Sequence, residues 1–419
     1  MTLFAQEIRS PEPLSAAVNE KLPKWLHFSG EDRMRLERIG DAGLKPIGDL
    51  YLLNRVRLNL DVRPTDWLSF RFQGQDSRVF GQNLLPAPAS QKDAIDLRVG
   101  YVQVGGEAGP FSLTAGRQSL EFGDGRLLGD PNWSNVGRTF DAARLTLRHR
   151  QLKVDLFTGI SAKVNPLEFD QPTPGQHVDG AYGSLGGLIP AAKLEPYVIW
   201  RLEHNCKAEN GRAGNVDEKT VGLRWLGKLP AGFDYVTEVS GQFGSWAGDG
   251  VRSWLGHWVL GHTLPDAVHR PRIYVEYNRA SGNENARDGL HSTFDLLFPS
   301  AHDKYGLSDL FGSSNIVHFR GGFEYKVRPR LSVAIAYNDF RRENWHDGLY
   351  VGGKVVASNT GARTATHVGQ EPDVQAQWTV SRSTAVVAGY GRLFSGEFLQ
   401  RTNPGISYNI FFLSVAQKF

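Results

Sequence analysis

The 419-residue chain contains one cysteine and two methionines, carries a formal charge of only +3, and has no apolar run of the length a membrane helix needs. Each scarcity excludes something. A lone thiol, Cys206, cannot close an intrachain disulfide. Without about 20 continuous apolar residues, no helix of this chain spans a bilayer. A near-neutral balance argues against a general nucleic-acid binder. The opening "MTLFAQEIRSPEP" has an early acidic residue and no apolar core of secretory length. Either the chain is cytosolic, or it is a mature form in which a start Met stands where a signal was removed, a choice the strand pattern decides for the second. Convincing amphipathic helices are also missing, and so are HExxH spacing, a nucleophile elbow and paired catalytic carboxylates. No enzyme activity, cofactor or metal is expected from these motifs.

Alternation is what the sequence has in abundance. In "LYLLNRVRLNLDVRPTDWLSFRFQGQD", Leu50, Leu52, Val56, Leu58 and Leu60 fall on one face, while Arg55, Arg57, Asn59, Asp61 and Arg63 fall on the other. The pattern resumes with Leu68, Phe70 and Phe72 against Arg71 and Gln73. A period of two is a strand period. Such a strand serves a soluble sheet, with apolar residues on a core, or a closed membrane barrel, with apolar residues on lipid and polar ones on a lumen.

Connection lengths decide between the two. Eighteen alternating segments can be traced from residue 24 to Phe419. Joins after even-numbered segments are short, as at Pro64–Asp66, Arg150, Arg328–Pro329 and Ser381–Ser383; most joins after odd-numbered ones are long, as at 77–92, 119–137, 161–178, 205–216, 281–314 and 342–369. Short turns on one side and long loops on the other mark an outer-membrane barrel, periplasmic turns below and extracellular loops above. The C-terminus adds an independent signal: "YNIFFLSVAQKF" alternates Phe411, Leu413 and Val415 in phase with Phe419. The expected fold is thus all-β, a transmembrane barrel of about eighteen antiparallel strands spanning 24–419, with residues 1–23 as an N-terminal periplasmic segment. The location is the bacterial outer membrane and the partner is its lipid bilayer.

A charge on the lipid face near the midplane costs roughly 2–4 kcal/mol, so charged residues opposite the apolar face should line the lumen. By strand phase these are Arg55, Arg57, Arg71, Arg98, Arg144, Arg320 and Lys326, together with Asp96, Asp155, Glu238, Glu276, Glu324, Asp373 and Gln375. Arginine supplies 33 of the 47 basic residues, and its planar fork of donors suits carboxylates and sulfates. The set as a whole reads as an anion-attracting pore; any one member could equally be paired across strands to fill the lumen. Trp67, Tyr101, Trp200, Trp225, Tyr235 and Tyr277 are candidates for interfacial aromatic belts.

Three segments carry a resemblance. "AGRQSLEFGDGRLLGDPNWSNVGRTFDAARL" (115–145), "FDLLFPSAHDKYGLSDLFGSSNI" (294–316) and "GQEPDVQAQW" (369–378) resemble the alginate export family of outer-membrane barrels. The resemblance implies an eighteen-stranded monomer whose arginine-rich constriction passes an anionic uronate polymer out of the cell, with periplasmic export partners. It implies a lumen role for Arg117 in "GRQ" and for Arg63 in "DVRP". Two departures stand out: the turn at Ser381–Ser383 has no room for the family's periplasmic plug, and "TAVVAGYGRLF" has only Arg392 where the family carries an arginine pair.

The leading expectation is a passive channel exporting an anionic polysaccharide; the alternative is a diffusion porin for small sugars or organic anions, which a missing plug favours. An outer-membrane hydrolase would need rim groups such as His302 and His346, and a purely structural barrel would not conduct. Whether the loop 281–314 folds inward as a gate or outward as a lid is open at this point. "SGNENARDG" (281–289) is only oxygen-rich, and "GDGR" (123–126) reads as a turn.

Overall fold

The computed structural model describes residues 14–83, 87–264, 267, 269–351, 354–357 and 365–419. Its architecture is a closed antiparallel barrel of eighteen strands. In chain order they are β1 (Leu26–Gly40), β2 (Asp49–Thr65), β3 (Leu68–Phe80), β4 (Asp93–Val104), β5 (Phe111–Gln118), β6 (Phe140–His149), β7 (Leu152–Lys163), β8 (Gln176–Gly186) and β9 (Ala192–Lys207). They continue as β10 (Ala213–Lys228), β11 (Phe233–Trp246), β12 (Asp249–Thr263), β13 (Arg272–Ala280), β14 (Ile316–Arg328), β15 (Leu331–Arg341), β16 (His367–Thr379), β17 (Thr384–Arg392) and β18 (Asn409–Lys418). Each strand pairs with the next, and β1 closes on β18 with Arg35 opposite Ser414. Closure gives every strand a neighbour on both sides across the bilayer, the condition for a sheet in hydrocarbon. Gly30 and Phe419 exchange backbone hydrogen bonds of 2.7 and 3.0 Å, so the terminal aromatic belongs to the seam.

Side chains alternate as expected. Met34, Leu58, Phe72, Val221, Ile335 and Val415 face outward and are exposed, while Arg33, Arg57, Glu218, Asn338 and Ser414, on the opposite faces, are buried inside. Trp67, Trp200, Trp225, Tyr235 and Tyr277 lie outside; Trp225 meets Tyr235 edge to face, and Tyr277 stacks on Trp258. Tyr101 does not join them. It pairs with the inward Arg71, because a bulge between Gln73 and Gly74 reverses the phase of β4 midway.

The join expected at 205–216 is shorter than its sequence suggests: β9 and β10 run on to Lys207 and Ala213, beyond the ~9–11 residues needed to cross a bilayer. At the same end, β11 and β12 meet through Ala247–Gly248 alone, both at positive φ (47° and 89°), the backbone of a two-residue hairpin turn matched to strand twist. A six-residue helix, Leu14–Asn19, precedes β1, and Asn19 bonds both backbone groups of Phe28. Of the N-terminal segment expected at 1–23, residues 1–13 lie outside the described residues.

Two joins leave the rim and enter the lumen, 119–139 and 281–315. Their apolar residues pack on the inner wall: Phe122 stacks with Phe157 and Tyr182 at 4.8 and 5.0 Å, Phe298 meets Phe140 at 5.5 Å, and Phe311 meets Phe340 at 4.8 Å. The barrel therefore has a dry core inside its own lumen, fully burying Leu120, Leu128 and Phe294. The loop 281–314 folds inward.

Candidate functional site

The site is where these two loops cross the lumen. Five guanidinium groups project from one wall: Arg33 and Arg35 from β1, Arg55 and Arg57 from β2, and Arg98 from β4, all buried. Arg33 and Arg55 are direct cross-strand neighbours, an arrangement that like charges resist unless acceptors surround them. Residues 130–137 supply those acceptors. Asn132 O accepts from Arg33 at 2.7 Å and from Arg55 at 2.9 Å; Ser134 O accepts from Arg33 at 3.0 Å, and Val136 O from Arg57 at 3.0 Å. Trp133 O accepts from Arg35 at 2.5 Å, and that guanidinium lies 3.7 Å above the Trp133 ring. A loop interior has carbonyls without ladder partners, and arginine has five donors and no acceptor, so each satisfies the other.

Three carboxylates share this belt. Glu31 pairs with Arg55 at 2.6 Å, Glu37 with Arg35 at 2.5 Å, and Asp130 with Arg98. Burial disfavours the Asp130 charge, yet Arg98 outweighs it and holds the carboxyl below the usual carboxylate range. Arg138, on the same loop, donates to Pro299 O at 2.9 Å and is lowered to about 10 by burial.

The far end of loop 119–139 meets a different wall. Arg126 lies 3.4 Å from Asp124, 3.8 Å from Glu276 and 4.0 Å from Glu238. Lys304 also reaches Asp124, at 3.5 Å. Against the cost of burial, Arg126 and then Lys304 hold the Asp124 carboxyl well below its ordinary range. The second loop is fixed to the wall by the Arg201–Asp295 pair at 2.5 Å, the Arg320–Asp303 pair at 2.6 Å, and Glu371, which accepts from Ser308 N at 2.9 Å. The loops then bind each other: Phe298 N donates to Leu127 O, Gly129 N to Phe298 O and Ser300 N to Gly125 O, all at 2.8–2.9 Å. This short transverse bridge spans the barrel interior.

Two cavities flank it. One of about 890 Å³ is lined by Arg35, Glu37, Arg98, Trp133, Arg138 and His302 among others; the other, about 810 Å³, by Arg272, Asp303, Glu324, Lys326, Arg328 and Gln377 among others. Adjacent residues His302 and Asp303 face different cavities, so the second loop is the partition between them.

Of the candidates from sequence, Arg55, Arg57 and Arg98 meet at the crossing, and Arg320 and Asp373 anchor the second loop, Asp373 accepting from Leu307 N at 3.2 Å. Glu324 and Lys326 line the second cavity. Arg71 lies inward beside Asp61 at 3.5 Å, and Arg144 faces inward with no hydrogen bond to its Nε. Arg63 sits at the short-turn rim, exposed and paired with Glu107, away from the crossing. Two candidates require correction. Arg117 has the lipid-side phase of Phe111 and Leu113 and forks onto Asp141 at 2.8 and 2.9 Å, within the wall. Arg392 has the lipid-side phase of Tyr390 and lies over the Phe394 ring at the loop end of β17. Both sit near strand ends, where a charge on the outer face is tolerated. His302 is not at the rim either; it stacks on Trp133 inside the lumen at 3.8 Å, whereas His346 is exposed and beside Trp345.

Arg33, Arg35, Arg126, Arg138 and Arg201 were missed. For the first two a signal exists in "EDRMRLERIG", where Met34 and Leu36 alternate with them; Arg126 and Arg138 lie in a loop without period.

A family model described as alginate export matches residues 24–412. No curated protein matches the sequence. Among solved structures the chain is similar to three from Pseudomonas aeruginosa. OpdQ is 11% identical with a TM-score of 0.63, over 95% of this chain and 99% of that one. OccK3 (OpdO) is 12% identical with a TM-score of 0.63, over 96% and 97%. The outer membrane protein opdK is 10% identical with a TM-score of 0.63, over 94% and 98%.

Proposed function

The chain belongs to the alginate export family of outer-membrane channels, and from that premise we propose that it is a passive, anion-selective channel for acidic saccharides. The observation that carries this reading is the composition of the crossing. Six guanidinium groups (Arg33, Arg35, Arg55, Arg57, Arg98 and Arg138) stand there against three carboxylates (Glu31, Glu37 and Asp130). Arg138 also lines the first flanking cavity, and Lys326 adds a positive charge to the second. A low-dielectric, positively charged constriction raises the local concentration of anions and repels cations. Carboxylate sugars suit it because arginine donates in pairs to a carboxylate and singly to hydroxyls.

Export of an alginate-like polymer is the family's use of such a lumen. The transverse bridge favours the alternative cargo, small uronates or organic anions, because a polymer would have to displace both loops along their whole contact. The barrel acts as a monomer in this reading, and a periplasmic partner belongs only to the polymer form.

The test is the reversal potential of the refolded protein in a planar bilayer under a salt gradient. The wild type is expected to favour anions, Lys326→Glu with Arg138→Ala to lose most of that preference, and short oligouronates to block the current transiently. A cation-selective or unselective wild type would remove the proposal.

A further inference from the structure

β5 stops at Gln118, and its last pair with β4 is Arg117 opposite Gly100. The loop-side part of β4, from Asp93 to Val99, therefore has no β5 neighbour. The join 164–175 covers this gap: Ala94 N donates to Pro166 O at 3.2 Å, and Asp170 N to Asp96 Oδ1 at 3.0 Å. The same closure brings together three carboxylates, Asp93, Asp96 and Asp170, whose oxygens lie within 4.8 Å of one another. All three residues are buried, and Asp93 is 0% exposed.

Their neighbours do not neutralise them. Asp93 Oδ1 has no hydrogen-bond partner, and Gln75 reaches only Oδ2, at 3.4 Å. Asp96 Oδ1 is taken by the Asp170 amide, and Asp170 Oδ1 by the Asn165 amide at 2.8 Å. The nearest cation, Arg117, is committed to Asp141 and the Asp170 carbonyl, and approaches Asp96 only to 4.0 Å. Carboxylates are rarely left buried and unpaired; they are paired or coordinate metals. Burial, and then the Asp96 charge, push the Asp170 carboxyl up to about 6 despite the Asn165 amide.

We propose that Asp93, Asp96 and Asp170 bind a hard divalent cation, of the size of Ca2+, and so fasten the 164–175 loop over the gap in the wall. Ligands on opposite sides of Ca2+ lie about 4.6–5.2 Å apart, against about 4.0–4.2 Å for Mg2+. Carboxylate oxygens no more than 4.8 Å apart lie within the span of a Ca2+ coordination shell, whose flexible geometry accepts uneven ligand spacing where Mg2+ demands a near-ideal octahedron. Asp93 and Asp170 also line the larger lumen cavity, which gives the ion a path in from solution and leaves room for water ligands. The site stands whichever solute the channel passes.

Equilibrium dialysis of the refolded full-length protein, stripped with chelator and titrated with radiolabelled Ca2+, tests this. One ion per chain is expected, with a dissociation constant of about 10⁻⁴–10⁻³ M, the range of solvent-facing extracellular sites. Asp170→Asn and Asp93→Asn should each weaken it at least about tenfold, while Glu168→Gln, an exposed change in the same loop, should not. Asp170 is on a loop, so its variant keeps a folded barrel, checked by heat-dependent gel mobility. In wild type alone, Ca2+ should also slow proteolysis of the 164–175 loop. No binding at concentrations about tenfold above that range, or binding equally strong in both Asp variants, would overturn the proposal and leave protons as the neutralising agent.

Discussion

At the residue scale, the arginines of the crossing bind the protein's own backbone. Replacing Arg98 by Ala leaves Asp130 buried with only Ser119 Oγ and the Arg138 amide. Breaking a buried pair in this way costs about 3–5 kcal/mol. The cost falls on the loop and not on the barrel, so Arg98→Ala should raise single-channel conductance and add flicker with little change in melting temperature. The pH response follows from Asp130. Its pKa in the folded protein lies below the ordinary value of about 3.9, so its stabilisation is complete above that value and is lost as pH falls through the depressed one. One steady conductance is expected from pH 7 down to about 4, with noise only below it; noise setting in near neutrality would assign the anchor to another group. At this scale, strand phase set Arg55, Arg57, Arg71 and Arg320 opposite the apolar face, and in the structure their strands turn them inward. The "GRQ" resemblance implied a lumen role for Arg117, whereas in β5 it shares the outward phase of Phe111 and Leu113. Tyr101, expected in the aromatic belt, faces inward because of a bulge whose extra residue leaves no mark in composition.

At the element scale, the transverse bridge depends on few contacts. Phe298 supplies two of the three backbone bonds to the first loop and packs its ring on Phe140. Phe298→Ala removes a buried aromatic, worth about 3–5 kcal/mol in a packed core, while leaving every barrel strand intact. The expected outcome is a channel of larger conductance with weaker anion preference and an unchanged thermal transition of the barrel; an unchanged conductance would mean the second loop holds its place through its remaining anchors, such as Asp295, Asp303 and Ser308. Loop lengths were legible because turns and loops alternate along the chain. The inward path of 119–139 was not, since a segment that bonds through its carbonyls needs no particular side chains to do so. The hairpin at Ala247–Gly248 was hidden for a related reason: strands that continue past the bilayer keep their pairing but no longer need a lipid-facing residue at each second position.

At the scale of the whole molecule, the barrel divides the sequence between two solvents. Leu58 and Arg57 are neighbours in the middle of β2, one exposed to the outside and one buried inside. Leu58→Arg should cost roughly 2–4 kcal/mol, read as a lower denaturant midpoint for folding into lipid vesicles, whereas Lys326→Ala, exposed to the second cavity, should cost little and change only selectivity. The architecture was legible because eighteen weak signals had to agree in phase and in connection length. The distribution of charge around the barrel axis was not, since which strands face one another across the lumen depends on closure. That distribution sets a direction across the channel. Arg33, Arg35, Arg55, Arg57 and Arg98 point inward from β1, β2 and β4, and the buried carboxyl groups Glu218, Glu238 and Glu276 from β10, β11 and β13, with Arg126 set between the last two. Under the proposed function, an elongated anion is expected to meet arginine donors on one wall and carboxyl groups on the other. Unlike sides combined with unlike ends give the lumen a handedness of its own, so mirror-image forms of the proposed cargo should meet it as two different obstacles.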